Sequence, residues 1–338
     1  MWILNFRGPM MKQRIVWLDS LKVFLILLVV VGHSIQEVGM HNFPGGEWIW
    51  YFIYSFHMMA FFAASGFLFY HKWSMSENKK QFLFRREFTL FVPTAILSFF
   101  SILLFYLTHQ CDSLWKAVLL TLNKFWFMGV LMLLELFYPL LLILFKNKRI
   151  YIECILLMGW LISGIWSNTV GKFLGYFFIF IFSGRLKDII DNPKIQGAQI
   201  FFTRNICLVM FLVLLILCYQ IQGIDSISNS YFKLLLGFFG SCWIFLLFPM
   251  CFGKRESGIL SRLGHYTMQI YLVHQILFAF SKTFFAGFPS MPAAAYFVIF
   301  SAMGIGIPIL LEKGMNKVPG LQFVFHPLHR VEKILCEG

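Results

Sequence analysis

Ten stretches of this chain approach the length of apolar helix that a bilayer demands, and little sequence is left between them. They run approximately over residues 15–35, 48–70, 88–108, 125–145, 150–167, 170–184, 205–222, 232–252, 265–281 and 292–311. An α-helix rises about 1.5 Å per residue, so roughly 17–25 apolar residues cross a hydrocarbon core about 30 Å thick. Lipid offers the backbone no hydrogen-bond partners, so such segments must close their own bonds as helices. The first stretch is long for a leader. It ends in Val31-Gly32-His33-Ser34 rather than in a small-residue cleavage site, and reads as a retained helix. The expectation is an all-α integral membrane protein of about ten transmembrane helices. Residues 10–315 form the membrane domain and 316–338 a cytoplasmic, interfacial tail.

Composition and charge agree with that reading. Charged residues make up 13% of the 338, where soluble domains carry about a quarter, and 59% are hydrophobic, more than a soluble globule can hide. The net charge of +13 does not point to nucleic acid, because the basic residues sit in short clusters between apolar runs rather than on one solvated face. With the N-terminus placed inside, 22 of the 28 Lys and Arg fall on the cytoplasmic side. Lys116, Lys124, Lys172, Lys233 and Lys282 fall outside, and Lys22 lies within the first span. This positive-inside bias supports an even number of spans with both termini cytoplasmic. Two mixed segments, Asp112–Lys124 and Leu321–Cys336, read as interfacial helices. The seven cysteines show no paired spacing and read as packing residues.

Ionisable groups inside spans are costly and mark candidate sites: Asp19, Lys22, His33, His57, Glu135 and His274. Lys22 and His33 are eleven residues apart, about 20° in azimuth and about 16 Å along the axis, so one helix face carries a cation at one end and an imidazole at the other. Asp19, three residues before Lys22, is placed to pair with it. His57, Glu135 and His274 all fall in the outer half of their spans, at the depth of His33, and four helices are expected to bring them into one chamber. Snorkelling and helix packing explain any one of these residues equally well. No HxxxH or ExxH pair occurs, and no metal is expected. Ser65-Gly66 suits either close backbone approach or simple packing.

Read together, these motifs resemble acyltransferase family 3, the integral membrane O-acyltransferases that modify bacterial surface sugars, with the O-acetyltransferase branch nearest. Leu18-Asp19-Ser20-Leu21-Lys22, then ten residues and His33-Ser34, is similar to that family's opening. Phe56-His57-Met58 with Ser65-Gly66-Phe67 resembles its second-helix motif, and Trp126-Phe127-Met128 its Trp-Phe-Leu. Leu263-Gly264-His265-Tyr266-Thr267 with Ile270-Tyr271-Leu272-Val273-His274 resembles its closing motif. Three positions depart from the pattern: Lys22 replaces Arg, Met59 replaces Pro, and Thr89 stands where Arg-x-x-Arg, begun by Arg86, would end.

The resemblance implies a multi-pass protein of the bacterial cytoplasmic membrane that uses acyl-CoA, chiefly acetyl-CoA, as co-substrate without a permanent cofactor. The implied acceptor is a glycan: lipopolysaccharide, capsule or a lipid-linked saccharide. His33 is then the general base, and an acyl-histidine route stays open. Lys22, Arg85 and Arg86 would hold the donor, with Asp19, His57, Glu135, His274, Tyr271 and Trp126 in support. A glycan transporter without acyl transfer is the alternative, although no internal repeat is visible.

Overall fold

A computed structural model describes residues 15–42, 44–166, 168–192, 197–252, 259–280, 291–318 and 320–328. Every regular element among them is helical: α1 (Val16–Val38), α2 (Gly46–Met75), α3 (Lys79–Leu107), α4 (Leu114–Lys124), α5 (Trp126–Leu144), α6 (Arg149–Trp166), α7 (Asn168–Ile190), α8 (Gly197–Gln222), α9 (Ser230–Phe252), α10 (Ile259–Leu263), α11 (Thr267–Ala279), α12 (Ala293–Met315) and α13 (Gln322–Phe325).

Seven of these are long and apolar enough to cross a membrane: α1, α2, α3, α5, α8 (extended to Ile227), α9 and α12. Seven of the ten expected spans are therefore supported among the described residues. The remaining three stretches are also helical, as α6, α7 and α11. α11 has 13 residues and spans only about 20 Å. α7 runs longer than its apolar stretch and packs against α2, α6 and α9, so protein rather than lipid surrounds much of it.

The helices form an inner and an outer set. About 70% of the apolar stretch of α1 and α2 is buried (67% and 72%), against 17% for α8 and α12. α2 lies at the centre and packs on α1, α7 and α9. Large apolar side chains such as Phe99, Leu107, Ile143, Phe202 and Leu310 face outward on the outer set, as a lipid-facing surface requires.

Close approach at the centre depends on Gly66. A Cβ there would collide with the carbonyl oxygen of Phe180 and lie 2.6 Å from Ser183 Oγ, so α2 and α7 meet backbone to backbone at this point. The Ser65-Gly66 motif is thus a packing device. Gly66→Leu is expected to destabilise the fold by about 1–3 kcal/mol or more, since the obstacle is backbone. Thermal unfolding in detergent checks this, and an unchanged midpoint would contradict it.

Helix ends follow local chemistry and move several boundaries. α1 stops at Gly39, whose φ of +90° ends the helix. α3 begins nine residues before its apolar run, because Asn78 caps it by accepting from Gln81 N at 3.1 Å and the Lys, Gln and Arg that follow are good helix formers. Lys79, Lys80, Arg85 and Arg86, which precede the third apolar run, are therefore the first two turns of α3. Ser113 caps α4, the expected helix within Asp112–Lys124, which packs on α3 and leaves Leu114, Trp115 and Leu122 exposed. Of the expected tail helix, α13 lies against α3, and His326 binds Glu312 on α12 at 2.7 Å. Residues 1–14 and 329–338, which hold the rest of that tail and the start of the expected membrane domain, lie outside the described residues.

Candidate active site

The polar residues of the inner helices gather at two levels, one at each end of α1. At the C-terminal end, His33 is partly buried and contacts two other helices. Its Nδ1 is 2.9 Å from Gln36 Oε1 on its own helix and 3.2 Å from Tyr54 Oη on α2. Tyr54 Oη also donates to Gln36 Oε1 at 2.8 Å. On the far side, Gln275 Nε2 of α11 lies 2.7 Å from His33 Nε2. One proton assignment satisfies the network: His33 Nδ1–H donates to Gln36, and the Nε2 lone pair accepts from Gln275. The imidazole is neutral, with its basic nitrogen turned into the bundle.

Two more imidazoles flank it. The rings of His33 and His274 are 5.5 Å apart, and Tyr54 lies between His33 and His57, with ring separations of 5.9 and 4.8 Å. His57 and His274 are fixed alike, each Nδ1–H donating to the carbonyl four residues earlier, Ile53 at 2.7 Å and Ile270 at 2.6 Å. That bond leaves each Nε2 as an acceptor. His274 is fully buried, and its Nε2 meets no partner among the described residues. A buried acceptor left unsatisfied is expensive, so a hydroxyl-bearing guest would find an unused acceptor beside His33. Tyr271 closes this side, its hydroxyl 3.4 Å from the carbonyl of Lys124 and its ring 6.0 Å from His274. Trp126, exposed at the start of α5, lies with its ring 5.6 Å from that of Tyr176.

At the N-terminal end of α1, Lys22 pairs with Asp19 at 2.8 Å, as their three-residue spacing requires. Lys72, in the last turn of α2, lies within electrostatic reach of Lys22, Asp19, Arg86 and Glu135. A cavity of about 110 Å³ opens here, lined by Lys72, Phe82, Arg85, Arg86, Thr89 and, from beyond α13, Leu328. Sites that enclose a whole ligand are about 300–1,000 Å³, so this space admits one phosphate group rather than a complete nucleotide. Thr89 lines the same cavity as the two arginines, although its hydroxyl is turned back to the Arg85 carbonyl.

Glu135 is the one candidate at the wrong level. Expected beside the histidines, it is instead fully buried in a bidentate pair with Arg86, Nε–Oε2 2.8 Å and Nη2–Oε1 2.7 Å. The pair wins because a buried carboxylate needs a cation, and the extended first turns of α3 supply a guanidinium whose fork matches it.

The structure thus brings His33, His57 and His274 together, and separately Lys22, Asp19, Arg85, Arg86 and Glu135. α1 is continuous between the two groups, so the rise of about 16 Å from Lys22 to His33 stands. Sequence reasoning missed Tyr54, Gln36 and Gln275, neutral residues with no charge to mark them inside apolar runs. It also passed over Lys72, which only its nearness to the α3 arginines distinguishes.

No curated protein and no solved structure matches the chain. A family model described as an acyltransferase domain matches residues 15–313, from the start of α1 to the last turn of α12. With nearly all of its length matched, the chain belongs to acyltransferase family 3.

Proposed function

We propose that the protein transfers an acyl group, chiefly acetyl, from cytoplasmic acyl-CoA to a hydroxyl of a cell-surface or lipid-linked glycan in the bacterial inner membrane. One observation carries this reading: a neutral imidazole, held by Gln36 with its Nε2 turned inward, shares a helix with Lys22 about 16 Å away, and Lys22 lies within electrostatic reach of Lys72, which lines a phosphate-sized basic cavity with Arg85 and Arg86. The basic end faces the cytoplasm, where positive residues concentrate, and the histidine end faces the acceptor.

In this scheme, donor phosphates dock at Lys72, Arg85 and Arg86 beside Lys22, and the pantetheine arm extends along α1. His33 Nε2, released from Gln275, takes the proton of the acceptor hydroxyl as that oxygen attacks the thioester carbonyl. The carbon–sulfur bond then breaks, and the departing CoA thiolate recovers the proton from the imidazolium. The products are an ester and free CoA. His274 Nε2 receives a neighbouring hydroxyl of the acceptor, and Tyr54 and Gln36 hold the ring that moves the proton.

A transporter needs neither the donor cavity nor a base at this distance. The test is kinetic. Lys22→Ala is expected to raise KM for acetyl-CoA about 10-fold or more while kcat changes little, because a charge-assisted phosphate contact is worth about 1.5–3 kcal/mol. Label transfer from acetyl-CoA, measured in detergent against donor concentration, checks it. An unchanged KM would remove Lys22 from the donor site, and glycan movement across liposomes without any acyl transfer would select the transporter.

A further inference from the structure

Few basic residues lie at the histidine end, yet three lysines from three different helices converge there. Lys233, near the start of α9, is 4% exposed and therefore cannot snorkel to water. Its ammonium donates to the backbone carbonyl of Tyr54, the residue whose hydroxyl meets His33. It lies within electrostatic reach of His57, and Lys172 of α7 within reach of Lys233. Lys124, at the end of α4, lies within electrostatic reach of His33 and His274, with its carbonyl against Tyr271.

Carboxylates do not balance this charge. Glu37 lies within reach of Lys124 and Tyr54, but no ion pair joins Lys172 or Lys233 to an acid among the described residues. An ammonium has three protons to donate, and Lys233 spends one on a helix carbonyl that already serves its own backbone. Buried cations are kept when paired, and truncating or neutralising such a site is otherwise favourable. A desolvated amine with unused donors beside the reacting imidazoles is suited to an anion that arrives with the substrate and stabilises its charged form.

We propose that the acceptor carries a negative group, a carboxylate or a phosphate, which binds at the mouth of the histidine chamber with Lys233 as its buried anchor and Lys172 and Lys124 beside it. This rests on the acyltransferase reading above and narrows its acceptor to acidic glycans or glycan phosphates.

The experiment uses full-length protein in zwitterionic nanodiscs without acyl-CoA, and three trisaccharides of equal length ending in a neutral hexose, a hexuronate or a hexose phosphate. Calorimetric titration at low salt is expected to show at least one acidic probe binding about tenfold or more tighter than the neutral one. Which acidic probe gains more identifies the anion. Lys233→Met and the partly buried Lys172→Gln should each remove most of that preference while leaving the neutral probe unchanged. Equal affinity for all three probes, or variants that weaken all three alike, would overturn the proposal. Adding acetyl-CoA separates it from the parent reading. Charge-selective binding with no label reaching any probe sinks the acyltransferase assignment and leaves the subsite standing. Label reaching the neutral probe as readily as the acidic ones sinks the subsite and leaves the transferase.

Discussion

His33→Ala is expected to lower acyl transfer by about 10²–10⁴-fold, the usual contribution of a positioned general base. The size follows from the geometry. Nδ1 is committed to Gln36 and Nε2 is the nitrogen available to take a proton, so no second group on α1 can substitute. His274 is the neighbour best placed to rescue, but its Nδ1–H is tied to Ile270 and its ring centre is 5.5 Å from that of His33. The fold should persist, because His33 is partly buried among polar partners rather than packed in the apolar core. The measurement is single-turnover transfer of labelled acetyl from acetyl-CoA, with thermal unfolding beside it. Activity within a few-fold of the starting protein, at an unchanged unfolding midpoint, would place the base elsewhere.

Glu135→Leu is expected to be the most destabilising single change at the site. It leaves Arg86, whose side chain is only 18% exposed, without the carboxylate that holds both arms of its fork. Stranding one member of a buried ion pair costs about 3–5 kcal/mol, whereas replacing both members by apolar side chains of similar volume is often neutral. Arg86→Met together with Glu135→Leu should therefore recover most of the lost stability, yet bind acetyl-CoA more weakly because a cavity cation is gone. Unfolding of both variants in mixed micelles checks the first half, and KM for the donor the second. A double variant as unstable as the single one would mean that Arg86 and Glu135 are not each other's main partners.

The parts of this molecule that the sequence exposes are those set by solvent and period. Apolar runs of bilayer length announce helices, and eleven residues on a 3.6 period place Lys22 and His33 on one stripe. What it hides is pairing between helices. Glu135 sits in an apolar run with nothing nearby to name its partner, and Arg86 is 49 residues away. The depth assigned to Glu135 failed because α3 starts at Lys79, capped by Asn78 and earlier than its apolar run, which carries the arginine into the bundle. α7 and α11 fall short of a lipid-facing span for a related reason. Burial against other helices relaxes the need for lipid-facing side chains along α7, and hydropathy cannot distinguish a short inner helix such as α11 from a span. Tyr54 and Gln275 were invisible as site residues because neutral side chains acquire a role only from what the fold sets against them.

The two-sided site is tested most directly in sealed proteoliposomes of defined orientation, with labelled acetyl-CoA on the face that carries Lys22, Lys72 and Arg85, and the acidic acceptor on the other. The account predicts that label appears on the acceptor while CoA stays on the donor side, and that exchanging the two compartments abolishes transfer. Transfer that requires donor and acceptor on the same face of the membrane would contradict it.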